Sequence, residues 1–394
     1  MIFDPELATQ AYMATLSGAA RARSDAYFEG GYWLILWSAL AAIVANLIIL
    51  RTGMAAAISR WARRTSRLRW LRSFLFAVPY LMLATLITLP LDIWSRFVRE
   101  HDYGLSNQDF GAWASEAALD IVISTILLSL LFIGIHAAIR RAPRSWWAIG
   151  TGLTAAGLTV MIMLAPLFIE PLFNKYTPLP ASPVRDAVLA MARANGVPAT
   201  NVYLVDASRQ SKRISANVAG LGGTTRIALN DNLMRQPADE VRAVLGHEIG
   251  HYVLNHVVKL IVTLTVILAI GFFIASRVLP ALLARFGARW GVTEVADPAI
   301  LPVLLLVATV LGLLLTPLMN TLVRTNEIEA DLYGLNAARA PDAFARTAIK
   351  LSQYRKIEPS PLEEAIFFDH PSGHTRVLTA MRWKAEHLGQ PDVR

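Results

Sequence analysis

The sequence contains no cysteine among its 394 residues. That absence excludes disulfide bonds, thiolate metal ligands, a lipoprotein anchor and palmitoylation. A metal ion would therefore have to be held by histidine and carboxylate side chains. The chain also begins without a basic segment before an apolar core, since Asp4 and Glu6 stand there, so we expect no cleaved signal peptide. Internal repeats and low-complexity tracts are likewise missing.

Apolar residues dominate what is present. They make up 55% of the chain, and the mean hydropathy is +0.44. Several runs exceed the roughly 20 apolar residues that cross a bilayer. The net charge of +8 would suit nucleic-acid binding, but the arginines gather in short segments beside the apolar runs, where membrane orientation explains them better. We expect membrane lipid as a partner and no nucleic acid.

Six apolar runs predict six membrane spans, at about residues 32–50, 74–94, 117–139, 146–169, 257–279 and 300–323. Pro79 and Pro90 predict kinks in the second span, and Pro280 predicts the end of the fifth. Residues 1–31 are expected to be helical at the membrane surface. Residues 51–72, rich in arginine and tryptophan, have the pattern of an amphipathic interfacial segment.

A soluble insert is predicted from Pro171 onward. Its pattern indicates a helix at 184–195 that Gly196 ends, and a strand at 201–205. Two further strands, 215–219 and 226–229, flank a turn containing glycines 220, 222 and 223. Residues 96–116 are expected to be a polar connection between the second and third spans.

Together these patterns predict a mainly α, multi-pass membrane protein with a small β-sheet. We divide it into an N-terminal region with four spans (1–170), the soluble insert (171–256), a pair of spans (257–323) and a helical C-terminal part (324–394). The expected location is a bacterial-type inner membrane.

The motif His247-Glu248-Ile249-Gly250-His251 carries the chemistry. Two histidines four residues apart on a helix lie on one face, so both imidazoles can bind one zinc ion. Glu248 is placed to take a proton from a water molecule at the metal. Pro237 predicts the start of this helix, which we expect to continue into the fifth span. Two histidines on a polar helix face without a metal would be the plain alternative.

Three carboxylates compete for the third ligand position: Glu327, Glu329 and Asp331. Glu327 and Asp331 share a helix face, so one can bind the metal while the other orients a ligating histidine. Glu329 points elsewhere and is interpreted as a solvated charge, and His256 as structural or interfacial. His370 could donate to a developing oxyanion or act in capping.

The predicted strand at 215–219 has the pattern of a sheet edge. Metalloproteases commonly bind a peptide by adding it to such an edge through main-chain hydrogen bonds. Asn217 and the glycines that follow fit this role, although an ordinary hairpin fits the pattern equally well.

Several motifs in the same order resemble the type I CAAX prenyl protease family, which are integral-membrane zinc endopeptidases. The likeness extends over about residues 30–385. The motifs that carry it are residues 101–109, 171–180, 215–217 with 226–233, 244–251 and 327–331, and His370-Pro371 with Arg376.

The resemblance implies a role for each matching residue. His247, His251 and Glu327 would bind one Zn²⁺ per chain, and Glu248 would be the catalytic base. Asp331 would support the ligands, His370 would stand beside the substrate as a second catalytic residue, and Arg376 would lie near the site. The substrate-binding strand would include Asn217 and Val218.

The resemblance also implies a fold, a ring of membrane helices around a chamber that the zinc domain closes. The chain departs from the family in having Val218-Ala219 where alanine and an aromatic residue are usual, and six spans instead of seven.

These observations predict a membrane-embedded zinc metalloendopeptidase that acts on hydrophobic or prenylated CAAX-like peptides. A quality-control protease of membrane proteins and a non-enzymatic chamber protein with structural zinc are the alternatives. The sequence leaves undecided on which side of the membrane the zinc domain lies. Thirteen arginines in 51–72, 140–145 and 277–299 place those segments in the cytoplasm and the zinc domain opposite, whereas the resemblance implies a cytosolic active site.

Overall fold

The structure is a computed structural model that describes residues 3–220, 225–390 and 393. Glycines 222 and 223 of the predicted turn lie outside these residues. Within the described residues, the α-helices are, in chain order, α1 (Pro5–Ala14), α2 (Gly18–Arg51), α3 (Met54–Thr65), α4 (Arg69–Ile93), α5 (Arg99–Asp102), α6 (Phe110–Arg141), α7 (Trp146–Leu164), α8 (Pro183–Ala194), α9 (Asp231–Met234), α10 (Ala238–Val253), α11 (His256–Trp290), α12 (Leu301–Ala338), α13 (Pro341–Leu351), α14 (Pro361–Phe367) and α15 (Gly373–His387). The strands are β1 (Tyr176–Pro178), β2 (Val202–Val205), β3 (Ala216–Ala219) and β4 (Arg226–Asn230).

Six helical segments of the described chain are long and apolar enough to cross a membrane, which confirms the six predicted spans. They are Gly18–Arg51, Arg69–Asp102, Phe110–Arg141, Trp146–Leu172, His256–Trp290 and Pro298–Ala338. Their buried faces meet in one apolar cluster that includes Ile49, Phe76, Tyr80 and Leu279. Five of these segments also line an apolar cavity of about 330 Å³.

The second and third spans extend beyond their apolar runs. The prediction of a polar connection over 96–116 was wrong, because helix continues to Asp102 and α6 begins at Phe110. Asp109 starts α6 early, since its carboxylate accepts a hydrogen bond from the Ala112 amide at 2.8 Å. Hydropathy does not detect such polar helix ends.

Pro280 does not end the fifth span, contrary to prediction. The helix α11 continues through it to Trp290 and ends at Gly291, whose φ of 65° is left-handed. Proline removes one backbone hydrogen bond, which a long membrane helix tolerates, whereas a left-handed glycine ends the helix outright.

The motif helix does not continue into the fifth span, also contrary to prediction. The helix α10 ends at Val253, and α11 begins at His256. Asn255 between them has a left-handed φ of 56°, a conformation that asparagine tolerates better than most residues.

The N-terminal residues lie against the other end of the chain. Residues 1–31 were predicted to be helical at the membrane surface, and most of them are helical, but α1 packs on α15. Met13 and Leu16 are buried in a cluster with Met381 and Trp383. The basic segment 51–72 contains the predicted amphipathic helix, α3, which buries Ala55 and Ala62 and exposes Trp61.

A four-stranded sheet in the order β1-β2-β4-β3 supports the motif helix. The strands β2 and β4 are parallel, and the other two pairs are antiparallel. Leu245 and Ile249 of α10 pack with Ile227 and Leu229 of β4 in one buried cluster. This packing fixes which face of α10 points away from the sheet.

Candidate active site

Helices α10 and α12 cross in close contact, and glycines make the crossing possible. A Cβ atom at Gly246 would lie 2.9 Å from the Gly334 carbonyl oxygen, and one at Gly250 would lie 3.1 Å from the Ala330 Cα atom. A side chain at Gly246 would force the backbone of α12 to move, and one at Gly250 would be tighter than almost all real Cβ contacts. The close approach brings the motif histidines of α10 against the carboxylates of α12.

Three side chains converge where the two helices cross. The Nε2 atoms of His247 and His251 are 3.1 Å apart. Glu327 Oε2 lies 3.3 Å from His247 Nε2, and Glu327 Oε1 lies 3.4 Å from His251 Nε2. All three residues can offer a ligand atom within 4.8 Å of the other two. The structure therefore brings together the three residues that the resemblance implied as ligands.

These donor atoms fit a metal cation. Glu327 Oε2 is buried, yet none of the described residues gives it a hydrogen bond of acceptable geometry. Such an atom is costly unless a cation or a donor satisfies it. Two imidazole nitrogens in van der Waals contact repel one another unless a proton or a metal ion lies between them.

Asp331 supports His247 rather than joining the three donor atoms. Its Oδ1 lies 2.8 Å from His247 Nδ1, on the ring edge opposite Nε2. Arg376 holds the same carboxylate with two hydrogen bonds, at 2.9 Å and 2.5 Å. Burial acts to lower the pKa of His247, but the carboxylates of Asp331 and Glu327 outweigh it and raise that pKa to about 10. The site thus has a strongly negative potential, as a divalent cation requires.

Glu248 lines a cavity of about 160 Å³ together with His247 and Glu327. Burial raises the pKa of its carboxyl group, and His247 and His251 oppose that rise. The cavity is also lined by Ala216 and Arg376. A carboxylate so placed can exchange a proton with a small molecule bound in the cavity.

His370 also lies beside Glu327. Its Nε2 is 3.3 Å from Glu327 Oε2, and its Nδ1 is 2.8 Å from Asp369 Oδ1. The side chain lines the same cavity. The structure therefore places His370 at the site, as the resemblance implied.

The predicted edge strand is present as β3, and it lies at the edge of the sheet beside α10. The Asn230 amide donates to the Ser215 carbonyl at 3.0 Å, so Ser215 faces β4. Main-chain groups alternate in direction along a strand. Asn217 and Ala219 therefore also face β4, whereas the main-chain groups of Ala216 and Val218 face the open edge.

Two features of the site escaped sequence reasoning. Arg355 lines the catalytic cavity, and burial together with Arg376 lowers the pKa of its guanidinium. No local pattern marked it. The second concerns His256 and Glu329. Glu329 was interpreted as a solvated charge and is 42% exposed, and its carboxylate also lies 3.1 Å from His256 Nε2 and 2.5 Å from Lys259 Nζ.

Comparison with known proteins gives the family. The model of peptidase family M48 matches residues 178–384, a range that contains all of the converging side chains. The chain belongs to peptidase family M48. A second model, described as the CAAX prenyl protease N-terminal region with five membrane helices, matches residues 9–175. This M48 peptidase has four candidate spans in that range. The predicted kinship with the type I CAAX prenyl proteases is confirmed.

Individual relatives agree with this assignment. The metalloprotease YhfN of Bacillus subtilis is 28% identical over 84% of this chain and 79% of its own length. CAAX prenyl protease 1 of Saccharomyces cerevisiae is 31% identical over 42% of this chain, but the match spans only 37% of the yeast protein. The crystal structure of S. mikatae Ste24p has a similar fold, with a TM-score of 0.75 at 22% identity, covering 96% of this chain and 94% of that one.

These findings establish the class of the protein. It is an integral, multi-pass membrane metalloprotease that acts on peptide or protein substrates. The predicted fold class is also confirmed, with long membrane helices and a small mixed sheet in the protease domain.

Proposed function

We propose that the metal is one zinc ion per chain, held by His247, His251 and Glu327. The spacing of the donor atoms carries this proposal. In a tetrahedral zinc site with bonds of 2.0–2.1 Å, neighbouring donor atoms are separated by roughly 3.3 Å. The two nitrogens lie 3.1 Å apart, and each lies close to one oxygen of the Glu327 carboxylate, His247 Nε2 at 3.3 Å from Oε2 and His251 Nε2 at 3.4 Å from Oε1. Two nitrogens and one carboxylate oxygen leave a fourth position open, as in hydrolytic zinc enzymes.

Glu248 serves as the general base in this proposal. A bound zinc ion supplies Lewis acidity and lowers the pKa of a water molecule at its open position. Glu248 would take a proton from the water that attacks the scissile carbonyl and then give that proton to the leaving amine. Its position on the cavity wall beside His247 and Glu327 supports this role.

His370 stabilises the oxyanion that develops during attack. When the imidazole is protonated, Nδ1–H donates to Asp369, and Nε2–H is left to donate to a neighbouring oxygen. The distance of 3.3 Å between His370 Nε2 and Glu327 Oε2 supports this role. Arg376 does not touch the substrate in this scheme, because it holds Asp331 and thereby orients His247.

The substrate peptide binds along β3. The open edge offers the amide and carbonyl groups of Val218 and Ala216 to an extended peptide, and Ala216 lines the catalytic cavity. The Oδ1 atom of Asn217 is buried and accepts no hydrogen bond from the described residues. A peptide amide would satisfy it.

We further propose that the substrate is a CAAX-type peptide carrying a prenyl group. The relatives in yeast and human are CAAX prenyl proteases. In this chain the helix that supplies Glu327 begins as a membrane span, so a lipid-bearing substrate can present its peptide to the site while its lipid stays in an apolar environment.

The test uses the purified full chain in detergent. A farnesylated CAAX peptide and its unlipidated twin are incubated with the protein before chelation, after chelation and after zinc is restored. We expect cleavage of the farnesylated peptide that chelation abolishes and zinc restores. Equal cleavage of both peptides would overturn the lipid preference. Cleavage that survives removal of all metal would overturn the zinc mechanism.

A further inference from the structure

We propose that His256 is a positioning residue for the ligand His251, and that Glu329 fixes the tautomer in which His256 does so. This inference rests on the zinc site proposed above. It adds two residues that the motif does not contain, one on α11 and one on α12.

The contacts form a chain that leads away from the metal site. His251 Nδ1 lies 2.8 Å from His256 Nδ1. On the other edge of the His256 ring, Nε2 lies 3.1 Å from Glu329 Oε2. Lys259 Nζ reaches the same oxygen at 2.5 Å. His256 is 4% exposed, so water does not compete for these ring nitrogens.

With a neutral His256, one arrangement of protons satisfies the contacts with His251 and Glu329 and leaves His251 able to bind metal. A carboxylate is an acceptor, so the His256 Nε2 atom that faces Glu329 carries the proton. A neutral His256 then has a lone pair on Nδ1, which accepts from Nδ1–H of His251. His251 is left with a lone pair on Nε2, the atom that faces His247 and Glu327. Glu329 therefore selects the form of His251 that binds metal.

The break between α10 and α11 makes this contact possible. In a continuous helix, a residue five positions after His251 would be rotated by about 140° and could not face it. The left-handed Asn255 interrupts the helix and returns His256 to the side of His251. This geometry explains why the motif helix ends where the apolar sequence would allow it to continue.

The two histidine ligands are supported in parallel ways. His247 donates to Asp331, which is held by the buried Arg376. His251 donates to His256, which donates to Glu329, and the more exposed Lys259 pairs with Glu329. The Lys259–Glu329 pair is roughly half exposed and contributes little. The inference therefore assigns the orienting role to His256 and Glu329, with Lys259 as a bystander.

Three substitutions separate these roles. His256→Phe keeps the ring shape and removes both nitrogens, and Glu329→Met removes the acceptor at a partly exposed position where misfolding is not expected. Lys259→Met is the matched control. Zinc affinity is measured by competition with a chelator, together with the visible spectrum of the cobalt(II)-substituted protein and the kcat and KM for the peptide.

We expect His256→Phe to weaken zinc binding about 10- to 100-fold, as removal of an outer partner of a metal-bound histidine does. Glu329→Met should weaken it less, and both should alter the cobalt spectrum and lower kcat with little change in KM. His256→Asn, whose amide can replace Nδ1, should recover part of the affinity. Lys259→Met should match the wild type.

Two results would overturn the inference. One is a His256→Phe protein with wild-type zinc affinity and an unchanged cobalt spectrum while the wild type binds zinc and cleaves peptide. The other is a loss in Lys259→Met as large as that in His256→Phe. Failure of the wild type to bind zinc would instead overturn the proposed function and this inference with it.

Discussion

Gly334 on α12 lies directly against the backbone of His247 on α10. A Cβ atom at position 334 would stand 2.8 Å from the His247 amide nitrogen and 3.0 Å from its Cα atom. The distance between His247, a proposed metal ligand, and the helix that carries Glu327 is thus set by the absence of a side chain. The relative positions of His247 and Glu327 therefore depend on the close packing of α10 against α12.

Gly334→Ala should force α10 and α12 apart. We expect the free energy of unfolding to fall by roughly 1–3 kcal/mol, as for other overpacked sites, and zinc affinity to fall with it. Thermal unfolding in detergent and chelator competition measure the two effects. Gly312→Ala is the matched control on the same helix, because a Cβ atom there would meet no described residue from another part of the chain within 4 Å. Equal stability of the two variants would contradict this account.

Asp331→Ala should leave the charge of Arg376 buried without its partner. Both side chains are less than 10% exposed, and removing one member of such a pair costs about 3–5 kcal/mol. Chemical unfolding of the purified protein measures the loss. The control is Arg382→Ala, which removes an ion pair to Glu6 that is more than half exposed and should change little. A loss of less than about 1 kcal/mol in Asp331→Ala would show that Arg376 needs no partner.

Asn255→Ala should destabilise the turn between α10 and α11. A left-handed conformation costs an ordinary residue about 1–2 kcal/mol, and Asn255 holds a φ of 56°. Asn255→Gly should be neutral or stabilising, because glycine adopts this conformation freely. Thermal unfolding of the two variants side by side tests the point. If both had the same midpoint, backbone strain at position 255 would play no part.

Val218→Pro should weaken substrate binding and preserve the fold. The Val218 amide faces the open edge of β3, so its loss removes a hydrogen bond to the peptide but none within the sheet. We expect KM to rise about tenfold, the equivalent of one net hydrogen bond. Asn217→Pro is the contrasting variant, since it removes an amide that faces β4 and should destabilise the protein itself. An unchanged KM in Val218→Pro would place the substrate elsewhere.

The sequence alone was sufficient to predict His247 and His251 as candidate metal ligands, because both lie on one helix face at a fixed spacing. It could not decide the third ligand. Glu327 and Asp331 lie four residues apart on the same face, and spacing treats them alike. Their contacts in the structure distinguish them. Glu327 lies beside Nε2 of both motif histidines, whereas Asp331 lies beside Nδ1 of His247. The family resemblance assigned these roles, and the geometry agrees with it.

The helix ends were harder to predict, because contacts distant in the sequence decide them. Nothing between Val253 and His256 is glycine or proline, so the apolar pattern indicated a continuous helix. The break at the left-handed Asn255 accompanies side-chain contacts of His256 with residues 5 and 73 positions away. Pro280 led to the opposite error. Proline predicted the end of a helix there, but the long membrane helix α11 continues through it.

The most direct test of the whole account is Glu248→Gln, measured for zinc content and peptide cleavage in the same preparation. The account predicts one zinc per chain in both the wild type and the variant. It also predicts that kcat falls by about 10²- to 10⁴-fold, the contribution of a general base. A variant that binds zinc and cleaves peptide at the wild-type rate would contradict the central claim, as would a cleaving wild type that contains no metal.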